Sequence, residues 1–334
     1  METIRAGIYG ASGYAGQNLV EILVDHPNVD LVFGTSNTYA GQFIEGTDLR
    51  YIPSDEVNLD HVDAVFLALP HKTAATIGKQ AVDAGKRVVD LSADMRFDDA
   101  EEYEKWYDIK HPHPDMLTSA PYGLPEIHRD DIAGAEIVGV PGCYPTATLL
   151  GLYPLLRVEG VSLEAPIIVD AKSGVSGAGR SATDTTHFVN IYGDIIPYKA
   201  GRSHRHVGEI EQEINRFMPT ENQIIFTPHL VPIDRGLMAS IYVTLNYSIT
   251  SDKVHSLYLN VYADEPLVKV LPLGQQATFK GVQRKNTAEI SITPVGDHFV
   301  HITSTIDNLR KGAASQAVQC FNLMYGFTET EALL

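Results

Sequence analysis

Cysteine is scarce in this chain: Cys143 and Cys320 are the only two in 334 residues. Two thiols so far apart exclude a disulfide framework and suit a reducing, cytosolic compartment. Bases are also short, since 25 Lys and Arg against 42 Asp and Glu give a formal net charge of −17. That excess of acid argues against nucleic acid and anionic membrane surfaces as partners, while leaving room for a local basic pocket and a small anionic substrate. No apolar run approaches the roughly 18 residues needed to cross a bilayer. The opening Met1-Glu2-Thr3-Ile4-Arg5 goes into a strand pattern with no signal-like apolar core. Low-complexity linkers and internal repeats are missing too. The expectation is a soluble, cytoplasmic globular protein, long enough for two closely packed domains.

What the chain does have begins with Ile4, Ala6 and Ile8, an apolar strand running into Gly10-Ala11-Ser12-Gly13-Tyr14-Ala15-Gly16. Leu19, Ile22 and Leu23 then share one helical face. Strand, glycine-rich turn and helix form the context in which a dinucleotide fingerprint is credible, although the spacing is G-x-x-G-x-x-G. The backbone must approach a pyrophosphate closely, and its charge faces the helix start. The next strand, Val29 to Gly34, ends in Thr35-Ser36-Asn37, without the acid that usually holds an NAD ribose. Hydroxyl and amide groups tolerate a 2′-phosphate, so NADP is favoured over NAD. Val62 to Pro70 and Arg87 to Ser92 read as further buried parallel strands around a helix stopped by Gly85. Five acids in residues 98–104 read as a solvated surface run, and Arg96 to Arg129 as an irregular segment. His111 and His113 in it read as surface-loop residues rather than metal ligands.

Cys143 lies in Pro141-Gly142-Cys143-Tyr144-Pro145-Thr146-Ala147, between the strand-like Ile137 to Val140 and a helical run from Ala147. Backbone N–H groups and the positive end of the helix dipole converge there and favour thiolate. The alternative is a small buried hydrophobe. Cys320, with Ala313, Ala317 and Met324 on one face of a terminal helix, reads as core. Lys172 to Arg180 is glycine-rich and polar, and suits either an anion or cofactor site or a plain loop. His204 and His206, flanked by Arg202 and Arg205, are the best acid–base candidates before a helix from Gly208 to Phe217. Spacing leaves open which of the two histidines serves the cysteine. Ile224–Phe226, Ala239–Leu245, Ile290–Thr293 and Val300–Thr303 alternate or run apolar, as strands of a mainly antiparallel sheet would.

Together with Asp90-Leu91-Ser92-Ala93-Asp94, Tyr122-Gly123-Leu124-Pro125-Glu126, Lys172 to Gly179, Arg235-Gly236 and Asp307-Asn308-Leu309, these motifs closely resemble the N-acetyl-γ-glutamyl-phosphate reductase family over nearly the whole chain. Met95 stands where that family usually has Phe, and Val207-Gly208 replaces Thr-Pro ahead of Glu209. The resemblance implies an α/β protein. A Rossmann-type parallel-sheet domain (1–143 plus 307–334) would bind NADP, and an α+β domain with a mainly antiparallel sheet (144–306) would carry catalysis and dimerisation. It further implies Cys143 as nucleophile and His204 as acid–base. Substrate would be met by His206, Glu209 and Tyr198, with Arg96 and Arg235 for its anions. Cofactor would be met by Gly10, Ser12, Gly13, Tyr14, Ala15, Ser36, Ser173, Gly174 and Asn308. The implied reaction is reduction of a small-molecule acyl phosphate through a cysteine thioester, in arginine biosynthesis, by a homodimer or homotetramer. Aspartate-semialdehyde dehydrogenase, an aminoadipyl-phosphate reductase working on a carrier protein, a cofactor-sensing protein and a cysteine hydrolase are the alternatives.

Overall fold

The computed structural model describes residues 3–158, 165–181, 183–218 and 224–334. Met1 and Glu2, where the reading of the opening segment begins, lie outside the described residues. The chain divides into two compact units, Met1–Gly142 with Ala313–Leu334, and Cys143–Gly312. Cys143 is therefore the first residue of the second unit, and Asp307 to Gly312 belong to that unit rather than to the Rossmann unit.

The first unit is built on β1 (Ile4–Tyr9), β2 (Val29–Thr35), β3 (Tyr51–Ile52), β4 (Ala64–Leu67), β5 (Arg87–Asp90) and β6 (Ile137–Gly139). They form one sheet in the order β3-β2-β1-β4-β5-β6, all parallel. The reversal of order beside β1 is the switch point where doubly wound sheets bind ligands. All four residues of β4 are buried, as covering on both faces demands of a parallel strand. Helices α1 (Tyr14–Val24) and α2 (Thr73–Asp83) bury Leu19, Ile22 and Leu23, and Ala74, Ala75 and Ala81. At about 1.5–3 kcal/mol for each large aliphatic side chain, Leu19, Ile22 and Leu23 fix α1 to the sheet, while the small residues of α2 let it pack closely.

The acidic run is not a loop. It forms α3 (Ala100–Tyr107), whose N-cap Asp99 accepts from the Glu101 N–H at 2.9 Å. Tyr103 and Tyr107, one turn apart, are buried on its inner face while the acids face water. A second helix, α4 (Pro125–Ile132), starts on Pro125, so Arg96 to Arg129 is more regular than its composition suggests. His111 is buried, its Nε2 2.9 Å from the Asp94 carbonyl, which corrects its reading as a surface residue. Terminal helix α10 (Ser315–Tyr325) buries Ala317, Cys320, Phe321 and Met324 in this unit.

The second unit carries helices α5 (Cys143–Leu156), α6 (Phe188–Ile191), α7 (His206–Phe217), α8 (Ser251–Val261) and α9 (Phe279–Val282). Its strands are β7 (Ile168–Gly174), β8 (Ile196–Pro197), β9 (Ile225–Val231), β10 (Leu237–Thr244), β11 (Val268–Val270), β12 (Ala288–Val295) and β13 (Phe299–Ile306). They form one sheet in the order β11-β12-β13-β10-β7-β9-β8. Four pairings are antiparallel, while β7 with β9 and β11 with β12 are parallel, so the sheet is mixed and mostly antiparallel. The polar stretch from Lys172 is not all loop: β7 runs through Gly174 and passes into a short 3-10 turn, Val175–Ala178. Every residue of α5 after Cys143 is buried. Pro154 interrupts this helix and leaves the Leu150 carbonyl without its usual N–H. The Tyr262 hydroxyl donates to that carbonyl, and the Tyr258 hydroxyl donates to the Gly151 carbonyl at 2.6 Å.

Candidate active site

In the first unit the glycine turn is shaped by close backbone approach. Gly10 has φ +79°, and a Cβ there would lie 2.3 Å from the Ala68 carbonyl oxygen. A Cβ on Gly16 would lie 2.3 Å from the Gly10 carbonyl oxygen, so neither position admits a side chain. Gly13 differs: the nearest atom to its Cβ position is 3.5 Å away, leaving its backbone open to a ligand. No side chain caps α1 and no acid occupies its first turn. The first-turn N–H groups there have no acceptors within the helix, and the helix dipole favours an anion. Thr35 Oγ1 accepts from the Gly10 N–H at 3.0 Å, and the Ser12 and Ser36 hydroxyls are 2.8 Å apart. These residues fit a dinucleotide pyrophosphate on the turn, with hydroxyls rather than a carboxylate at the end of β2.

In the second unit Cys143 is the first residue of α5 and is half-buried. Pro145 supplies no N–H in that first turn, while Thr146 and Ala147 do. Gly312 presses against the cysteine: a Cβ at 312 would lie 2.9 Å from the Cys143 Cβ. The Tyr144 and Tyr198 hydroxyls are 3.0 Å apart. Burial pushes the Tyr198 phenol up to about 12; its hydrogen bond to Tyr144 opposes that rise, and the negative charge Cys143 can carry adds to it. Burial, then Tyr198, drives the Tyr144 phenol in the same direction, and Cys143 adds to it. Both phenols therefore stay protonated, and the Tyr198 hydroxyl donates to that of Tyr144.

His204 completes this cluster. Its ring centroid is 4.6 Å from that of His206, 5.3 Å from Phe226, and 5.7 Å from both Tyr144 and Tyr198. The His206 main-chain N–H donates to His204 Nδ1 at 3.1 Å. Burial, then the charges of Lys199 and Arg205, lowers the His204 pKa to about 4. Arg205 already has helical backbone angles, and His206 opens α7. Glu209, in the first turn of α7, is fully buried. Arg202 is not aimed at this cluster; its guanidinium forms a bidentate pair with Glu211, one arm at 2.8 Å.

Ser173, Gly174 and Asn308 come together elsewhere in the second unit. A Cβ on Gly177 would lie 2.9 Å from Ser173 Oγ and 3.6 Å from Asn308 Nδ2. Asn308 ties this corner by accepting from the Gly236 N–H at 2.8 Å and donating to Ser176 Oγ at 3.0 Å. Ser173 also hydrogen-bonds Tyr144, linking this corner to the cysteine helix. Arg235 lies 3.8 Å from the Asp307 carboxylate. Arg96 belongs to the first unit, where it donates to the Val140 carbonyl at 2.7 Å and the Leu91 carbonyl at 2.9 Å. Sequence reasoning missed Tyr144 and Gly312. Tyr144 could have been found from its place next to Cys143, whereas Gly312 carries no local signal.

A thiol at a helix start with a half-buried imidazole and two protonated phenols can accept an acyl group and donate to its carbonyl oxygen. Residues 5–135 match the family described as semialdehyde dehydrogenase, NAD binding domain, and residues 143–308 the semialdehyde dehydrogenase dimerisation domain. The chain is 46% identical to the N-acetyl-gamma-glutamyl-phosphate reductase of Moorella thermoacetica, over 99% of this chain and 98% of that one. It is 43% identical to the protein of the same name from Desulfotalea psychrophila, with the same coverage. Among solved structures, aspartate semialdehyde dehydrogenase II from Vibrio cholerae, complexed with ASA, has a TM-score of 0.78 at 19% identity, covering 98% of this chain and 99% of that one. Aspartate semialdehyde dehydrogenase with NADP from Candida albicans has a TM-score of 0.71 at 16% identity, covering 97% and 99%. At those identities the likeness is one of fold. Turn, sheet order, cysteine helix and full-length kinship agree, and the chain belongs to the N-acetyl-gamma-glutamyl-phosphate reductase family of oxidoreductases, built on the two-domain semialdehyde dehydrogenase fold.

Proposed function

We propose that this enzyme uses NADPH to reduce N-acetyl-γ-glutamyl phosphate to N-acetylglutamate 5-semialdehyde with release of phosphate, in arginine biosynthesis in the cytoplasm. The observation that carries the chemistry is Cys143 opening α5 next to Tyr144, whose ring meets His204 and whose hydroxyl meets Tyr198. Cys143 Sγ attacks the acyl carbon, the carbon–oxygen bond to phosphate breaks with its electrons on phosphate, and a thioester remains. His204 and Tyr198 face the carbonyl oxygen, where negative charge develops. His206, Glu209, Arg235 and Arg96 bind and orient the rest of the substrate. NADPH supplies the hydride that turns the thioester into aldehyde, and the Cys143 sulfur leaves as thiolate. Gly10, Ser12, Gly13, Tyr14, Ala15 and Ser36 are the residues assigned to holding the cofactor, and Ser173, Gly174 and Asn308 are assigned to it as well. Hydroxyls at Ser12 and Ser36 in place of an acid favour NADP over NAD. The functional enzyme is a homodimer or homotetramer.

Cys143→Ser should abolish turnover while leaving NADPH binding nearly unchanged. A serine variant with near-wild-type turnover would exclude the covalent route. The reverse assay, with N-acetylglutamate semialdehyde, phosphate and NADP, and aspartate semialdehyde as competitor, decides the substrate.

A further inference from the structure

We propose that His204 enters catalysis as a neutral imidazole that donates from Nε2–H, locked in that tautomer by the His206 main-chain N–H and in that orientation by Tyr144. The inference rests on the thioester reading and narrows the role of one side chain within it.

The geometry is direct. An imidazole nitrogen that accepts a hydrogen bond cannot carry a proton, and Nδ1 accepts from the His206 N–H at 3.1 Å. The one ring proton therefore sits on Nε2. Adding a second proton would set Nδ1–H against the backbone N–H. It would also place a cation among Lys199, Arg205, the buried rings of Tyr144 and Phe226 and the half-buried ring of Tyr198. His206, Tyr198 and Tyr144 are titratable groups that meet this ring, and both phenols keep their protons. Tyr144 fixes the ring plane, standing edge-on to His204 at 83° while its hydroxyl meets Tyr198.

A stored imidazolium is not required by the chemistry. When the sulfur–carbon bond forms and the carbon–oxygen bond to phosphate breaks, the thiol proton ends on the departing phosphate oxygen, leaving hydrogen phosphate. His204 finishes the step neutral, as it began. Its contribution is a fixed donor toward the carbonyl oxygen, which builds up negative charge in the tetrahedral intermediate. Tyr144 is the positioning residue for that donor.

The test reads tautomer and turnover separately. In enzyme carrying 15N-labelled histidine and no cofactor, the His204 ring nitrogens should report a neutral Nε2–H imidazole from about pH 8 down to about pH 5.5. His204→Gln, whose amide can donate in place of Nε2–H, should keep turnover within about 10-fold, whereas His204→Ala should lose on the order of 10²-fold or more. Tyr144→Leu, which removes the ring that stands edge-on to His204, should lower kcat with little change in KM, and Tyr144→Phe, which keeps that ring, should recover most of the loss. A His204 ring that is doubly protonated, or carries its proton on Nδ1, at neutral pH overturns the proposal. So does a glutamine variant as inactive as the alanine variant when Cys143 alkylates at the wild-type rate. An active Cys143→Ser enzyme would remove the thioester reading and leave the tautomer result standing.

Discussion

Acidifying the protein from pH 7 to pH 5 loads one half-buried side chain in particular, and replacing His204 by glutamine should relieve that load. Burial first, then Lys199 and Arg205, hold its pKa at about 4, against an ordinary histidine value of about 6.5. In that interval the unfolded chain takes up a proton that the folded chain refuses. The unfolded state binds more protons, so stability falls as pH drops through the window between about 6.5 and about 4. At pH 5 the unfolded histidine is about 1.5 units below its pKa while the folded one is still largely neutral. The loss relative to pH 7 is therefore about 2 kcal/mol. Urea unfolding of wild type and His204→Gln at both pH values isolates this quantity as a double difference. Asp90, raised to about 7 by burial and then by Asp94, works in the opposite sense, because its folded form takes up the proton first. It is present in both proteins and cancels. Equal losses of stability in wild type and variant would refute the argument.

Three further outcomes follow from single positions. Gly10→Ala should destabilise the protein by about 1–3 kcal/mol and weaken NADP binding at least tenfold, because its Cβ meets the Ala68 carbonyl at a positive φ. Calorimetric titration and thermal unfolding measure both. Ser36→Asp should weaken NADP binding by about tenfold or more and NAD binding much less, and an equal effect on the two would move the 2′-phosphate away from Ser36. Tyr262→Phe should cost about 1–3 kcal/mol in urea unfolding, since it strips the donor from a buried carbonyl that Pro154 cannot serve.

The Rossmann unit was legible because buried parallel strands such as Ala64–Leu67 are apolar throughout, and glycine is the only residue that fits where backbone meets backbone. Helix α3 was not, because its solvent-facing acids dominate the composition and hide Tyr103 and Tyr107, a buried pair one turn apart. The Asp99-x-x-Glu102 pattern that marks its start was present and unread. Extension of β7 through Gly174 is decided by its pairing with β9 and β10, which no local pattern records. The same holds at the cysteine. The helix start, Cys143 and His204 are all motifs of sequence. Gly312 against the sulfur's carbon, the His206 N–H on Nδ1 and the edge-on ring of Tyr144 exist only once distant segments have met.

Pro154 and the tyrosine that compensates for it bear on the order in which the molecule can be assembled. The helix that begins at Cys143 has a carbonyl whose donor is supplied 112 residues later in the chain. It also has a buried, largely apolar body that later elements, α7, β10 and β13 among them, cover. A nascent chain that has released α5 but not yet α8 thus holds its thiol on an unfinished scaffold. Local helix formation cannot finish it, because the missing donor is removed by covalent structure and not by slow search. Synthesis must pass Tyr262 before the nucleophile is set, so fragments and inserted tags that separate α5 from α8 should fold into chains in which Cys143 is present but unplaced.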